Sequence, residues 1–432
     1  NGIIFTIGDN DTFAIWYAQG IEEYRRDVRP INTSLFNTDW YIDDMKKAAF
    51  ESAPIPSQLI HEQYRYGTRD YIIKHPQIEG DDTLSIKRWM DWVANDDPRL
   101  TVEMQSGQML QTFPSKNIRI PVDKEAVLRN GIVAEKDAHL ILDYIDVHIK
   151  SDVLYKNRRM MFDIIANNNW ERPIYFTGGA FNDEEYLWMK DYLQLDGLAY
   201  KLVPIKTPVD KRNPFDMGRI DSEKMYEIVK DWDWGNSGSS DIYHDPETRK
   251  NAISYRGNIA RLAEQLILEE EYEKAEEMLD LAMENMPVKY YGYYTLLEPF
   301  ITGYFEVNQE EKGIQLYKEV AKTYQEKLDY YGTFSYTLQR NYLETILMDV
   351  ERYRSLVGTL LYSENEEFLT SEAETFNSYL KKFQHFYANE LEDEVFQEDS
   401  LEVDLENPPM DFPDEETLLK MIDSMEKAMN QE

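Results

Sequence analysis

The chain has 432 residues, 42% apolar and 13% aromatic, enough for two or three packed domains. Its 46 Lys and Arg stand against 82 Asp and Glu, and the formal net charge of −36 argues against binding nucleic acid or an anionic membrane surface, both of which need clustered cations. With no cysteine, disulfides, thiolate nucleophiles, Cys-based zinc sites and iron–sulfur clusters are excluded, and no run approaches the roughly 18 apolar residues of a membrane helix.

The chain lacks an initiating Met and enters a core-type strand by residue 3, so native sequence is expected upstream of Asn1. Ile3–Ile7 predicts that strand. Gly8 and the polar cluster Asp9, Asn10, Asp11 and Thr12 predict a sharp turn, and Thr12–Tyr24 a helix. Val28–Leu35 predicts a second strand. Asn37, Thr38 and Asp39, all N-cap types, open a helix expected to run to Phe50.

Residues 51–115 read as an irregular insertion, with loops at HPQIEGDD and ANDDPR and a short helix carrying Trp89, Met90 and Trp92. A strand is expected at 117–123. A helix is expected over 137–148, because Leu140, Ile141, Tyr144, Ile145 and His148 share one face at helical spacing. A second βαβ unit follows: helix Leu154–Asn167, strand Pro173–Phe176, a turn at Thr177, Gly178 and Gly179, helix Glu185–Gln194 and strand Ala199–Pro204. This alternation predicts a Rossmann-like, mostly parallel α/β sheet domain over residues 1–205. Residues 206–251 read as a linker or loop, with WDWGNSGSSD (232–241) as its mobile part.

From Ala252 the pattern is all helix. Leu262, Ala263, Leu266, Ala275, Leu279, Ala282 and Pro287 follow the two-helix signature of a tetratricopeptide (TPR) repeat of about 34 residues. A degraded copy runs through Phe300, Ile301, Gly313, Tyr317 and Val320. Residues 252–390 are therefore expected to form a TPR-like helical domain whose repeats stack. Residues 391–432 predict an acidic linker and a terminal helix, Glu415–Met429.

In open parallel sheets, ligands sit beyond the carboxyl ends of the strands. Asp9, Asn10 and Asp11 fall there after the first strand, Thr33, Ser34 and Asn37 after the second, and Thr177, Gly178 and Gly179 after a later one. These are the candidate ligand-binding residues. Asp9 and Asp11 together could hold Mg²⁺ for phosphate chemistry. Equally, one of them caps the helix while the other orders the turn. Both readings stand at this point. Gly8 is not part of a G-x-G-x-x-G fingerprint, and the acidic run after Gly179 disfavours anion binding there. No P-loop, G-x-S-x-G or H-E-x-x-H is present, and the six histidines (His61, His75, His139, His148, His244 and His385) include no pair at helical ligand spacing. No catalytic residue is assigned. Tyr290, Tyr291, Tyr293, Tyr294, Tyr330 and Tyr331 predict packing between repeats, or a concave surface for a partner or a sugar.

The stretches GIIFTIGDNDTFAIWYAQG, DVRPINTSLFNTDWYIDDMK, NNNWERPIYFTGG, DGLAYKLVPI and ARLAEQLILEEEYEKAEEMLD, in this order, resemble the soluble C-terminal region of a bacterial family of multi-pass membrane proteins. That family, long labelled as a domain of unknown function, is grouped with GT-C-type glycosyltransferases, beside a eukaryotic protein O-mannosyltransferase that also has a C-terminal TPR region. The resemblance covers about residues 1–300, and Ala14 stands where many relatives would carry Pro. It implies an N-terminal membrane domain as intramolecular partner and a location on the periplasmic face of the inner membrane. For the intact protein it implies a lipid-linked sugar donor and an acceptor protein, with no cofactor in the present chain. It also implies a catalytic acid in a loop of the membrane domain, outside these residues. Asp82-Thr83-Leu84 fits an O-glycosylation acceptor pattern. The expected role is accessory: binding or orienting an acceptor, or packing on the membrane domain. A self-sufficient α/β enzyme with a divalent metal at Asp9 and Asp11, and a TPR adaptor, are the alternatives.

Overall fold

The computed structural model describes residues 1–78, 82–105, 107, 109–178, 182–209 and 217–390. The expected acidic linker and terminal helix over 391–432 lie outside them. The chain divides into two units, Asn1–Asp221 and Ser222–Glu432.

The first unit is α/β. Its strands are β1 (Ile3–Thr6), β2 (Arg29–Asn32), β3 (Tyr71–Lys74), β4 (Leu84–Ser85), β5 (Thr101–Glu103), β6 (Met109–Phe113), β7 (Asn117–Pro121), β8 (Tyr144–His148), β9 (Val153–Tyr155), β10 (Ile174–Thr177), β11 (Leu193–Asp196) and β12 (Ala199–Leu202). They form three mixed sheets, ordered β11-β12-β10-β1-β2, β5-β6-β3-β9 and β4-β7-β8. In the first, β1 runs parallel to both neighbours, with Ile3 opposite Ile174 on one side and Arg29 on the other. β12 and β11 continue it antiparallel. The expected mostly parallel, Rossmann-like arrangement is thus confined to β10-β1-β2. The apolar strand residues drive burial: Ile3 and Ile31 are inaccessible, and Phe5 packs on Phe176 with ring centroids 5.5 Å apart.

Two expected helices are corrected. Residues 137–148 form a 3₁₀ turn, Glu135–Leu140, followed by β8. In β8, Ile145 and Val147 are buried while Tyr144, Asp146 and His148 are exposed, which is strand alternation. Residues 185–194 form short 3₁₀ turns and then β11. Leu187 and Trp188 sit at φ of 51° and 57°, which breaks any helix. The helix expected to reach Phe50 ends at Met45.

The insertion is built into the unit rather than hung on it. Ile86, Trp89, Met90 and Val93 form the buried stripe of the helix Ile86–Ala94. Trp89 packs between Phe113 of β6 and Phe162 of the helix Lys156–Asn168. The latter helix is buried along almost its whole length, charged residues included.

The second unit is helical: Ser222–Lys230, Pro246–Leu268, Tyr272–Asn285, Glu298–Glu306, Glu310–Gly332, Leu343–Gly358 and Glu366–Glu390 are its longer helices. Asp245 caps the second of these by accepting from the amides of Glu247 (2.9 Å) and Thr248 (3.0 Å), with Pro246 in the first turn. Ala275, Leu279 and Ala282 are inaccessible. At Gly313 the helix backbone passes so close to Phe305 that a Cβ would lie 2.5 Å from its ring. The WDWGNSGSSD segment is held by aromatic packing, with Trp232 and Trp234 at 5.0 and 5.4 Å from the Tyr255 ring.

Candidate functional site

β1, β2 and β10 end side by side. After β1 the chain turns at Gly8 into the helix Asp9–Gly20, after β2 into a turn over 33–37, and after β10 into Gly178. These ends surround an open cleft of about 710 Å³ lined by Ile7, Gly8, Asp9, Asn10, Asp11, Ser34 and Gly178. The structure therefore brings Asp9, Asn10, Asp11, Ser34 and Gly178 to one place. Gly179 lies outside the described residues.

The floor of the cleft is one hydrogen-bond network. Thr12 Oγ1 donates to the Gly8 carbonyl (2.6 Å), lies 2.6 Å from Thr6 Oγ1, and accepts from Asn32 Nδ2 (3.1 Å). Asn32 Oδ1 in turn accepts from the amides of Ser34 (2.9 Å) and Leu35 (3.0 Å). The Asn32 amide donates to the Tyr41 hydroxyl (3.0 Å), and burial raises the pKa of that phenol. Thr6, Thr12 and Asn32 are inaccessible, so each bond shields a polar group that would otherwise be buried unpaired.

The candidate residues divide by what they already hold. Gly8 is the helix N-cap, in extended backbone and without a side-chain cap, so neither Asp9 nor Asp11 caps the helix; both sit in its first turn, where the helix dipole favours negative charge. Asp11 Oδ2 accepts from Thr177 Oγ1 (2.7 Å) and, at 3.4 Å, from the Ile7 amide. Thr33 is buried and donates to the Thr6 carbonyl (2.9 Å). Ser34 Oγ donates to the Ile7 carbonyl (3.1 Å). Asn37 Oδ1 accepts from the Asn157 amide (3.1 Å), tying the turn after β2 to the helix Lys156–Asn168. At Gly178 a Cβ would stand 3.3 Å from the Tyr200 ring, so a larger residue would press on β12. Asp9 and Asn10 are exposed at the mouth. The cleft thus offers a ligand one carboxylate, one amide and a hydroxyl, without a cation among its lining residues. Among the described residues no group of three or more His, Asp or Glu is placed to hold a metal ion.

A family model described as TMEM260-associated domain 2 matches residues 1–224, more than half of the chain and all of the first unit. The chain belongs to this family. TMEM260 is a membrane protein family, whereas among the described residues of this TMEM260-associated domain and the helices after it, no helix is long and apolar enough to cross a membrane. No curated protein and no solved structure matches the chain.

In this family member the sequence signals for the network are Thr6 and Asn32, polar residues that each follow apolar ones at the end of a strand (IIFT and RPIN). The acidic turn beside them is the stronger local signal and hides them. Outside the TMEM260-associated domain, Tyr290 stacks on His244 at 5.0 Å, Tyr291 is buried and Tyr294 meets the edge of Tyr324 at 5.1 Å, which is packing. Tyr330 is exposed.

Proposed function

We propose that this chain is the part outside the membrane of a membrane-embedded, glycosyltransferase-like protein, and that it binds or orients an acceptor protein or packs on the membrane domain. The observation that carries this reading is the family match over residues 1–224, which contain most of the motif series. In this reading the sugar donor is lipid-linked, the catalytic acid lies outside these residues, and the chain works on the periplasmic face of the inner membrane. The helical unit serves as a TPR-like partner surface, with Ala263, Ala275, Ala282 and Gly313 as the small residues that let helices approach.

The geometry of the cleft supports an accessory role. Asp11, Thr33, Asn37 and Thr177 are already committed to holding strand ends together. The rival reading, a divalent metal at Asp9 and Asp11, has to take the Asp11 carboxylate from Thr177 and lacks a third acidic or imidazole ligand among the described residues. Deleting Asn1–Asp221 from the intact protein is expected to reduce glycosyl transfer to the acceptor or assembly of the membrane domain. Unchanged acceptor range, assembly and rate would overturn the reading. Calorimetry with Mg²⁺, Mn²⁺ and Ca²⁺ on the wild type and on Asp9→Ala tests the metal alternative, for which the expected result is no binding heat at millimolar metal.

A further inference from the structure

The helix Asp9–Gly20 is inverted. A helix lying on a sheet ordinarily turns apolar residues inward. Here the buried residues are Thr12 and Gln19. Gln19 Nε2 donates to the carbonyls of Arg25 (2.9 Å) and Val28 (2.8 Å), which fixes the end of the helix against the loop that leads into β2. The outward side carries Phe13, Trp16 and Tyr17, followed by Ile21 and Tyr24 just past the helix; their exposures run from 39% at Trp16 to 68% at Ile21. Phe13 and Trp16 touch each other, ring centroids 5.4 Å apart. Beyond Tyr24, the Arg26 guanidinium lies over the exposed Phe50 ring at 4.4 Å. Exposed apolar surface of this extent on one element marks a contact site rather than chance exposure.

We infer that this face is a docking surface for the lipid–water interface of a zwitterionic phospholipid bilayer. The composition selects that partner. Trp and Tyr present an apolar ring with a polar tip and concentrate at the headgroup level of membranes, while Phe and Ile supply the insertion energy. The charge selects the lipid. The two cations at the edge are neutralised within the chain, Arg25 by Asp27 (2.9 Å) and Arg26 by Glu23 (3.1 Å), and the chain as a whole carries −36. Such a rim has no surplus positive charge to attract anionic headgroups, so the attraction is apolar and a neutral bilayer is preferred. The helix is held in place by Gln19 and Thr12 before any contact, so little ordering cost attends binding. The inference rests on the proposed function only in placing the first unit beside a membrane.

The test uses the full chain with phosphatidylcholine vesicles, alone or doped with phosphatidylglycerol, in a flotation assay. The wild type floats with phosphatidylcholine and less well as phosphatidylglycerol is added. Replacing Phe13, Trp16 and Tyr17 together by Ser lowers partitioning at least tenfold, with far-UV circular dichroism unchanged because all three side chains point outward. Replacing the exposed Tyr243 by Ser has no effect. Independently of that triple variant, brominated phosphatidylcholine quenches wild-type indole fluorescence, and less so in Trp16→Phe. Absence of wild-type flotation, equal flotation of the triple variant, preference for anionic vesicles, or a self-association that the triple variant abolishes would each overturn the inference. Vesicle binding needs no partner protein, so it fails or succeeds separately from the deletion experiment above.

Discussion

Thr177 donates its hydroxyl to the Asp11 carboxylate across 2.7 Å and so closes β10 onto the turn that follows β1. The bond crosses between the two parallel strands at the centre of the sheet. It makes Asp11 a tie between elements far apart in sequence, and leaves Asp9 as the solvent-facing member of the pair.

The two aspartates should therefore behave differently. Asp11→Ala is expected to lower stability by about 1–2 kcal/mol, the value of a charge-assisted bond lost with its donor left unpaired. Asp11→Asn, which keeps an acceptor oxygen, should cost about half of that. Asp9→Ala should stay within ~0.5 kcal/mol, as for an exposed surface residue. Urea denaturation followed by Trp fluorescence measures all three; a larger loss at Asp9 than at Asp11 would contradict the assignment.

Gly313 and Gly257 give opposite expectations for the same substitution. A Cβ at Gly313 would meet the Phe305 ring at 2.5 Å, and Phe305 is itself buried. Gly313→Ala should cost about 1–3 kcal/mol through overpacking. Gly257 lies inside the helix Pro246–Leu268 with open space where a Cβ would go, so Gly257→Ala should add about 0.5–1 kcal/mol through helix propensity. Thermal unfolding of the pair reads both signs.

Two buried arginines should also part company. Arg172 donates to the carbonyls of Asn1 (2.9 Å), Pro54 (3.1 Å) and Ala53 (3.3 Å), pinning the insertion to the start of β1. Arg172→Met is expected to cost about 3 kcal/mol, since those carbonyls lose a charged donor together. Arg159 is inaccessible, and none of its three side-chain nitrogens has a hydrogen-bond partner among the described residues. Burial, and then the nearby Arg69 charge, push its pKa down to about 9. Arg159→Met should leave stability within ~1 kcal/mol or raise it, because an apolar side chain of similar length removes a buried cation whose desolvation outweighs the attraction of Asp163 and Asp70. Chemical denaturation of both variants decides the contrast.

Asp163 supplies the pH dependence. Burial raises its pKa, against the opposing effect of hydrogen bonds from Ser57 and from the Gln58 and Leu59 amides. The folded state then holds a proton at pH values where the unfolded chain has released it. The stability contributed by this group is full below the unfolded carboxyl pKa, roughly 4, and is lost as pH rises through the folded value. Asp163→Asn should remove this falling component. Plotted against pH, the stability of the wild type relative to the variant should decline from about pH 4 upward and then level off; a difference that rises with pH would reverse the sign of the shift.

Much of the sheet centre was readable because its signals are local. Ile3–Ile7 and Pro173–Phe176 are apolar runs ended by turn residues, and the cleft residues follow from their position after those runs. The segments where the structure departs from expectation are ambiguous at short range. In 137–148 the apolar positions fit a helical face, yet YIDVH also alternates strictly, and pairing with β7 decided in favour of the strand. The break at Leu187 and Trp188 needed two bulky residues with positive φ, which local propensity disfavours. The sheets of the insertion pair Ile73 with Thr112 and Tyr71 with Tyr155, long-range registers with no short-range trace. Of the two open readings of Asp9 and Asp11, the cap fails because the N-cap falls earlier, at Gly8, which leaves both aspartates in the first turn, and Thr177, distant in sequence, holds the Asp11 carboxylate. The side of the helix Asp9–Gly20 that would be buried was equally invisible, since Gln19 finds its carbonyl partners only in the folded loop.

The register of β1 against β10 sets a timetable for making the protein. Ile3 can pair with Arg29 as soon as the crossover helix Asp9–Gly20 and β2 have been synthesised, but it meets Ile174 only 171 residues after Ile3 itself. At about 5–20 residues per second that interval is about 10–30 s. Throughout it, one hydrogen-bonding edge of an apolar strand stands open to other chains. Arg172 and Thr177, which lock the beginning of the chain in place, arrive within a few residues of β10 itself. The nascent first unit is therefore expected to need protection by a chaperone until residue 177 has emerged, and truncations that stop just short of it should aggregate rather than fold.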